Sequence, residues 1–195
     1  MTGANVTYAD LFRPAAAKNA RLYDLLLIVG GSILTALCAQ VAFALPLSPV
    51  PVTGQTFAVV LVGALLGSKR GALAMLAYAM EGAAGLPVFA QGRFGLPVLL
   101  GPTGGYIFGF IIAAFVVGLL AERGWDRRFV PSALAMTIGT AFIFLFGCTW
   151  LARFVGAEQV LALGFAPFVP GAVFKIVLAA ALLPVGWKLL GAAKK

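Results

Sequence analysis

An all-α integral membrane protein of six transmembrane helices is the fold class this sequence predicts. Three observations predict it. Of the 195 residues, 62% are hydrophobic and only 10% are charged, with a mean hydropathy of +1.05, outside the range of an ordinary water-soluble domain. No charged residue occurs between Leu25 and Ser68, a stretch long enough for two crossings at roughly 20 apolar residues each. The apolar stretches continue to residue 190, whereas a secretory precursor has one short apolar stretch ahead of a soluble body.

The first crossing is predicted from about residue 22 to 45, where Pro46, Pro49 and Pro51 force an extended connection. The second runs from about 53 to 67 and ends in a tight turn at Ser68, Lys69 and Arg70. The third spans 71 to 85. Residues 86 to 102 are apolar yet punctuated by Pro87, Gly92, Gly95, Pro97, Gly101 and Pro102, and read as an ordered loop that is buried or caps a cavity. The fourth helix covers 103 to 121, the fifth 129 to 150, and the sixth 171 to 190, with a short interfacial helix expected around 156 to 163.

The net charge of +8 is distributed as clusters between apolar runs, not as a nucleic-acid-binding patch. Arg13, Lys18 and Arg21; Lys69 and Arg70; Arg123, Arg127 and Arg128; and Lys188, Lys194 and Lys195 place eleven of the fourteen basic residues on one face of a six-span protein. By the positive-inside rule that face is cytoplasmic, which puts both termini there. The expected organisation is a cytoplasmic segment 1–21, a membrane domain 22–190 and a cytoplasmic tail 191–195, multi-pass in the cytoplasmic (inner) membrane. Connections on the other face are longer and rich in Pro and Gly, so a ligand pocket is expected there.

Cys38 and Cys148 sit in apolar runs without metal-ligand spacing, and the chain has no His, so neither a metal site nor an enzyme is expected. Gly63 to Lys69 lacks the spacing and ending of a phosphate loop. Four ionisable residues fall in or near the outer half: Glu81, Arg93, Arg153 and Lys175. A charge in hydrocarbon is costly unless paired or functional. Lys175 either meets a ligand carboxylate or carbonyl, or snorkels to headgroups. Glu81 either accepts ligand N–H groups or pairs with Lys175 or Arg93. Arg93 suits a carboxylate, Arg153 an interface anchor. In helix one, Gly31, Thr35 and Ala39 form one small-residue stripe and Ser32 and Ala36 another, suited to close packing within the chain or to docking a partner.

Pro-Val-Pro-Val-Thr-Gly-Gln-Thr-Phe at 49–57, Gly-Leu-Pro-Val-Phe-Ala at 85–90 and Gly-Pro-Thr-Gly-Gly-Tyr at 101–106, followed by Gly109, resemble the BioY family. These are biotin-specific substrate-binding (S) components of energy-coupling-factor (ECF) vitamin transporters. The resemblance runs from about residue 30 to 190. It implies a six-helix S component that binds biotin near its outer face, with biotin as transported substrate and no cofactor. It also implies a transmembrane T component and two ABC-type ATPases as partners, with homo-oligomers left open. A biotin pocket needs polar groups for the ureido ring and carboxylate, and apolar walls for the rest. The implied site is Thr53, Gln55, Glu81, Phe89, Gln91, Arg93, Tyr106 and Lys175, with Phe57 and Phe108 as further walls, and the small-residue stripes as a docking face. Family members carry Pro-Gly-Asp-x-x-Lys before helix six. This chain has Pro170, Gly171, Ala172 and Lys175, so the lysine matches and the acid does not, and Glu81 or Gln91 is expected to substitute.

Overall fold

The structure, a computed structural model, describes residues 6–46 and 48–193. Lys194 and Lys195, residues 1–5 and Leu47 lie outside the described residues, as do the side chains of 191–193 in the expected tail. The helices are α1 (Tyr8–Leu11), α2 (Ala17–Gln40), α3 (Gln55–Leu66), α4 (Ser68–Ala83), α5 (Leu96–Leu100), α6 (Gly104–Glu122), α7 (Phe129–Val155), α8 (Val160–Gly164) and α9 (Val169–Ala193); all but α1 and α5 lie where a helix is expected. Two short strands, β1 (Ala42–Phe43) and β2 (Val52–Thr53), pair antiparallel between α2 and α3. Among the described residues, four apolar helical stretches, 17–40, 104–122, 129–155 and 160–190, are long enough to cross a membrane. At about 1.5 Å per residue α3 and α4 reach only about 18 and 24 Å, short of a hydrocarbon core of about 30 Å.

α6 is the central helix, packed against α3, α4 and α7, while α2 lies on α3 and α4, and α9 on α3 and α7. Glycines allow the closest of these approaches. A Cβ on Gly118 of α6 would strike the backbone of Gly67 and Ser68, so only glycine lets α6 pass the α3–α4 corner. The outward face of α2, carrying Leu22, Leu25, Leu26, Ile33 and Leu37, is exposed and uniformly apolar, a surface suited to lipid.

Three boundaries differ from expectation. The first helix begins at Ala17 and stops at Gln40, because residues 42–43 leave it to pair with 52–53. Lys69 and Arg70 form the first turn of α4 rather than a loop: Gly67, at φ +84°, makes the corner alone. The carboxylate of Glu122, from α6, accepts the Ser68 N–H (2.7 Å) and hydroxyl (2.8 Å) and so caps α4 from another helix. Residues 86–102 contain the short helix α5 and a 3-10 turn at Ala90–Gly92.

Of the two readings of the small-residue stripes, packing within the chain is the one that their burial supports over a docking face. Gly31, Ser32, Thr35 and Ala39 are buried inside the bundle, and a Cβ on Gly31 would sit 3.0 Å from Ala74 and Val62. Ala36 packs on the same core. These small side chains draw α2 against α3 and α4, and are spent within the chain.

The basic end is tied together by the segment before α2. Asp10 pairs with Arg70, Arg13 with Asp24 at 2.7 Å, and the Tyr8 hydroxyl donates to the Leu183 carbonyl with its ring 4.5 Å from that of Trp187. Asp126, 1% exposed in the 3-10 turn Trp125–Arg127, accepts a 2.6 Å bond from the Trp187 indole. Burial pushes its carboxyl up to about 6, against the lowering effects of Trp187 and Arg127. A folded-state value above the unfolded one near 3.8 favours the native state at low pH, and that advantage is lost as pH rises through about 6. Thermal stability should therefore fall between pH 4 and pH 7 by up to roughly 3 kcal/mol from this group, and the Asp126→Asn protein should lack that part of the decline. Parallel profiles for the two proteins would show that the Asp126 proton is not linked to folding.

Candidate functional site

At the end of the bundle away from the basic clusters, a cavity opens where α3, α6 and α9 begin. Its walls come from Val50–Thr53 and the start of α3, from Phe89, Ala90 and Arg93 in the connection after α4, from Val98 of α5 and Thr103, from the first turns of α6, from mid-α7, and from Phe168, Ala172 and Lys175. About 770 Å³ separates these walls, open mouth included.

The hairpin sets the first wall. Pairing of Ala42 with Thr53 and Phe43 with Val52, and a 2.9 Å bond from the Gly54 N–H to the Val41 carbonyl, fix the chain just before α3. The Thr53 hydroxyl then donates to the Gln55 Oε1 (2.8 Å), and the Gln55 amide nitrogen donates to the Tyr78 hydroxyl, which donates to the Val88 carbonyl (3.1 Å). This relay crosses from α3 through α4 to the following connection. It ends beside Phe89, whose ring meets Tyr78 edge-on at 5.5 Å and is 1% exposed. Phe89 fits because its partner on α4 is Gly82; a Cβ there would lie inside the ring.

The connection carrying Phe89 and Arg93 is held by its own backbone and by Gln40. The Phe89 N–H donates to the Arg93 carbonyl (3.0 Å), and the Gly95 N–H to the Gly82 carbonyl (2.7 Å). At the end of α2 the Gln40 Nε2 donates to the Phe89 carbonyl (3.3 Å), while its Oε1 accepts the Gly92 N–H (3.0 Å). One amide thus clasps both sides of the turn. Gln40→Leu should speed hydrogen exchange at the Gly92 amide by about tenfold, the worth of a hydrogen bond or two; exchange at the wild-type rate would mean that the turn holds itself.

Lys175 enters from α9. Its ammonium donates to the Thr53 carbonyl and to the Thr56 hydroxyl (3.0 Å), both uncharged, and it has no carboxylate partner among the described residues. Arg93 stands at the mouth, exposed. No Asp or Glu lines the cavity. The remaining surface is aromatic and aliphatic: Tyr106, Ile107, Phe110, Ile143, Phe144 and Phe168. Tyr106 is anchored by a 2.8 Å bond from its hydroxyl to the Gly164 carbonyl, which orients its ring toward Phe168 at 6.5 Å.

The structure therefore brings Thr53, Gln55, Phe89, Arg93, Tyr106 and Lys175 to one cavity. Others of the expected residues lie elsewhere. Glu81 faces α2 and accepts a hydrogen bond from Ser32, so it pairs with neither Lys175 nor Arg93. Gln91 is exposed, with φ +62°, at the outer edge of the turn. Phe57 packs against the buried cluster of Val60, Val117, Met136 and Leu183, and Phe108 turns outward against Trp150 at 6.0 Å. Arg153 stacks on Trp150 at 4.6 Å, outside the cavity. Residues unforeseen by sequence reasoning include Thr56, Thr103 and Thr140. The last is 7% exposed, in the middle of α7. Thr140 is one of four hydroxyl side chains in α7, with Ser132, Thr137 and Thr149, so nothing in the sequence singles it out. Among the described residues no group of His, Cys, Asp or Glu could hold a metal ion. What the cavity can do is enclose a mostly apolar ligand that carries a negative charge and a few hydrogen-bonding groups.

Comparison with known proteins bears on this arrangement. The sequence model of the BioY family matches residues 13–192. A Thermotoga maritima protein named Biotin transporter BioY is 43% identical over 155 residues, covering 78% of this chain and 90% of its own. A Rhizobium etli protein of the same name is 39% identical over 179 residues, covering 82% and 96%. Among solved structures, the crystal structure of the S-component for biotin from an ECF-type ABC transporter superposes with a TM-score of 0.76 at 22% identity, covering 89% of this chain and 95% of that one. That last likeness concerns the fold.

Proposed function

The chain belongs to the BioY family, and from that membership we infer that it binds biotin and takes it up across the cell membrane as the substrate-specific component of an ECF-type transporter. The single observation that carries the reading to this chain's own atoms is the charge of the cavity. Its ionised side chains are Lys175 and Arg93, with no acid to neutralise them, inside walls that are otherwise aromatic and aliphatic. Biotin is the complement of that surface: a carboxylate, an apolar chain and thiolane ring, and a compact ureido group.

In this reading the carboxylate meets the Lys175 ammonium, whose two bonds to Thr53 and Thr56 leave a third N–H for a ligand. The ring system lies among Phe89, Tyr106, Phe110 and Phe144, and the ureido group is served by Gln55 and Thr140 in place of the acid absent at Ala172. Glu81 and Gln91, directed elsewhere, take no part.

The six helices α2, α3, α4, α6, α7 and α9 are read as six membrane crossings with both ends cytoplasmic, a reading supported by the basic residues gathered at one end. A transmembrane T component and ABC-type ATPases are its partners in this reading, which rests on the family membership. The chain is read as a transporter subunit and not as an enzyme. Retention of labelled biotin by the purified protein is the test. Saturable retention displaced by unlabelled biotin supports the reading; saturation by a different vitamin and not by biotin would replace it.

A further inference from the structure

The α6–α7 connection, at the opposite end from the cavity, carries a second concavity that biotin binding leaves unexplained. Arg123, Arg127 and Arg128 line it together with Trp125, and Pro131 and Leu134 of α7 close its far side. We propose that this groove binds the phosphate headgroup of an anionic phospholipid, on the strength of two exposed arginines, Arg123 and Arg128, beside an exposed apolar slope.

Charge is the first argument. The two acids in the same stretch are turned away: Glu122 is occupied in capping α4, and Asp126 is buried against Trp187. Neither lines the groove; Arg127 stacks on Trp187 at 4.8 Å and acts on Asp126, which leaves Arg123 and Arg128, both exposed, as the cations that face outward from it. Guanidinium forks suit phosphate oxygens better than ammonium groups do. The second argument is the helix beneath. Arg128 is the N-cap of the 27-residue α7 and makes no side-chain cap bond, so the positive end of the α7 dipole lies beside the groove.

Position then separates a lipid from a soluble anion. α6 ends at Glu122 and α7 begins at Phe129, both helices long and apolar enough to cross a membrane, so the groove sits where hydrocarbon gives way to headgroups. Phe129, Val130 and Leu134 are exposed on the same side and continue from the arginines along α7 as a surface for acyl chains. Trp125 at that level is the residue type that favours the membrane–water interface.

Native mass spectrometry of the protein in neutral detergent, with equal amounts of phosphatidylglycerol and phosphatidylcholine, tests the proposal. Adducts should favour phosphatidylglycerol by roughly tenfold. Arg123→Gln with Arg128→Gln should bring the preference close to parity, while Lys69→Gln with Lys188→Gln, removing as much charge from the same end, should preserve it. Equal binding of the two lipids by the wild type, or equal loss in both double variants, overturns the proposal. A thermal-shift series on the wild type keeps the test independent of variant folding. Dihexanoyl phosphatidylglycerol should raise the melting temperature where dihexanoyl phosphatidylcholine and inorganic phosphate do not; an equal rise with inorganic phosphate would make this a site for soluble anions instead.

Discussion

Replacing Lys175 by alanine is expected to weaken biotin binding by roughly two to three orders of magnitude without loss of helical content. Truncating one partner of a buried charge pair typically costs about 2–5 kcal/mol, and each 1.4 kcal/mol is about tenfold in affinity. The cost is at this scale because the cavity contains no second cation at the same depth: Arg93 is on the exposed connection, and no acid competes for the ammonium. The ligand's own charge supplies the control. Biotin amide, uncharged at that end, should lose far less affinity in the Lys175→Ala protein, measured by calorimetry alongside biotin. Should both ligands weaken equally, Lys175 would act only by holding the Thr53 carbonyl and Thr56 in place.

Gly82→Val is the second substitution expected to have a large effect. The added carbons would occupy the space of the Phe89 ring, which is 1% exposed and has no free volume to retreat into except the cavity itself. Overpacking of this kind costs about 1–3 kcal/mol, and here the displaced group is also a wall of the cavity. A lower melting temperature is expected together with a loss of biotin affinity on the order of tenfold or more. Adding Phe89→Ala should recover much of the stability but little of the affinity, because relief of the clash does not restore the wall. Wild-type affinity and melting temperature in Gly82→Val would show that the ring is not held where the structure puts it.

Helices were legible in this sequence because each is a long apolar run, and their ends were less so because those ends depend on partners remote in the chain. α4 starts at Ser68 since a carboxylate 54 positions later caps it. The stop of α2 at Gln40 depends on a strand that begins twelve residues on, and nothing within 41–45 forbids another helical turn. The site divides in the same way. Lys175 announces itself as a charge in an apolar segment, and Thr53, Gln55 and Phe89 belong to recognisable motifs. Thr140 and Phe144 do not stand out, because a helix crossing hydrocarbon is apolar on its lipid face as well as its cavity face. Glu81 attracted a ligand role for the reason that Lys175 did, yet its partner is Ser32 on the neighbouring helix. An intramembrane charge points to a partner without saying whether that partner is a ligand or a serine.

The cavity's walls begin at Val50 and are completed only by Lys175. A ribosome delivering this chain supplies the hairpin, the aromatic walls and the connection above them well before the cation arrives on the last helix. Partly inserted chains therefore have a hollow whose single cation is Arg93 at the exposed mouth, so a carboxylate can be held at depth only once the last helix is threaded.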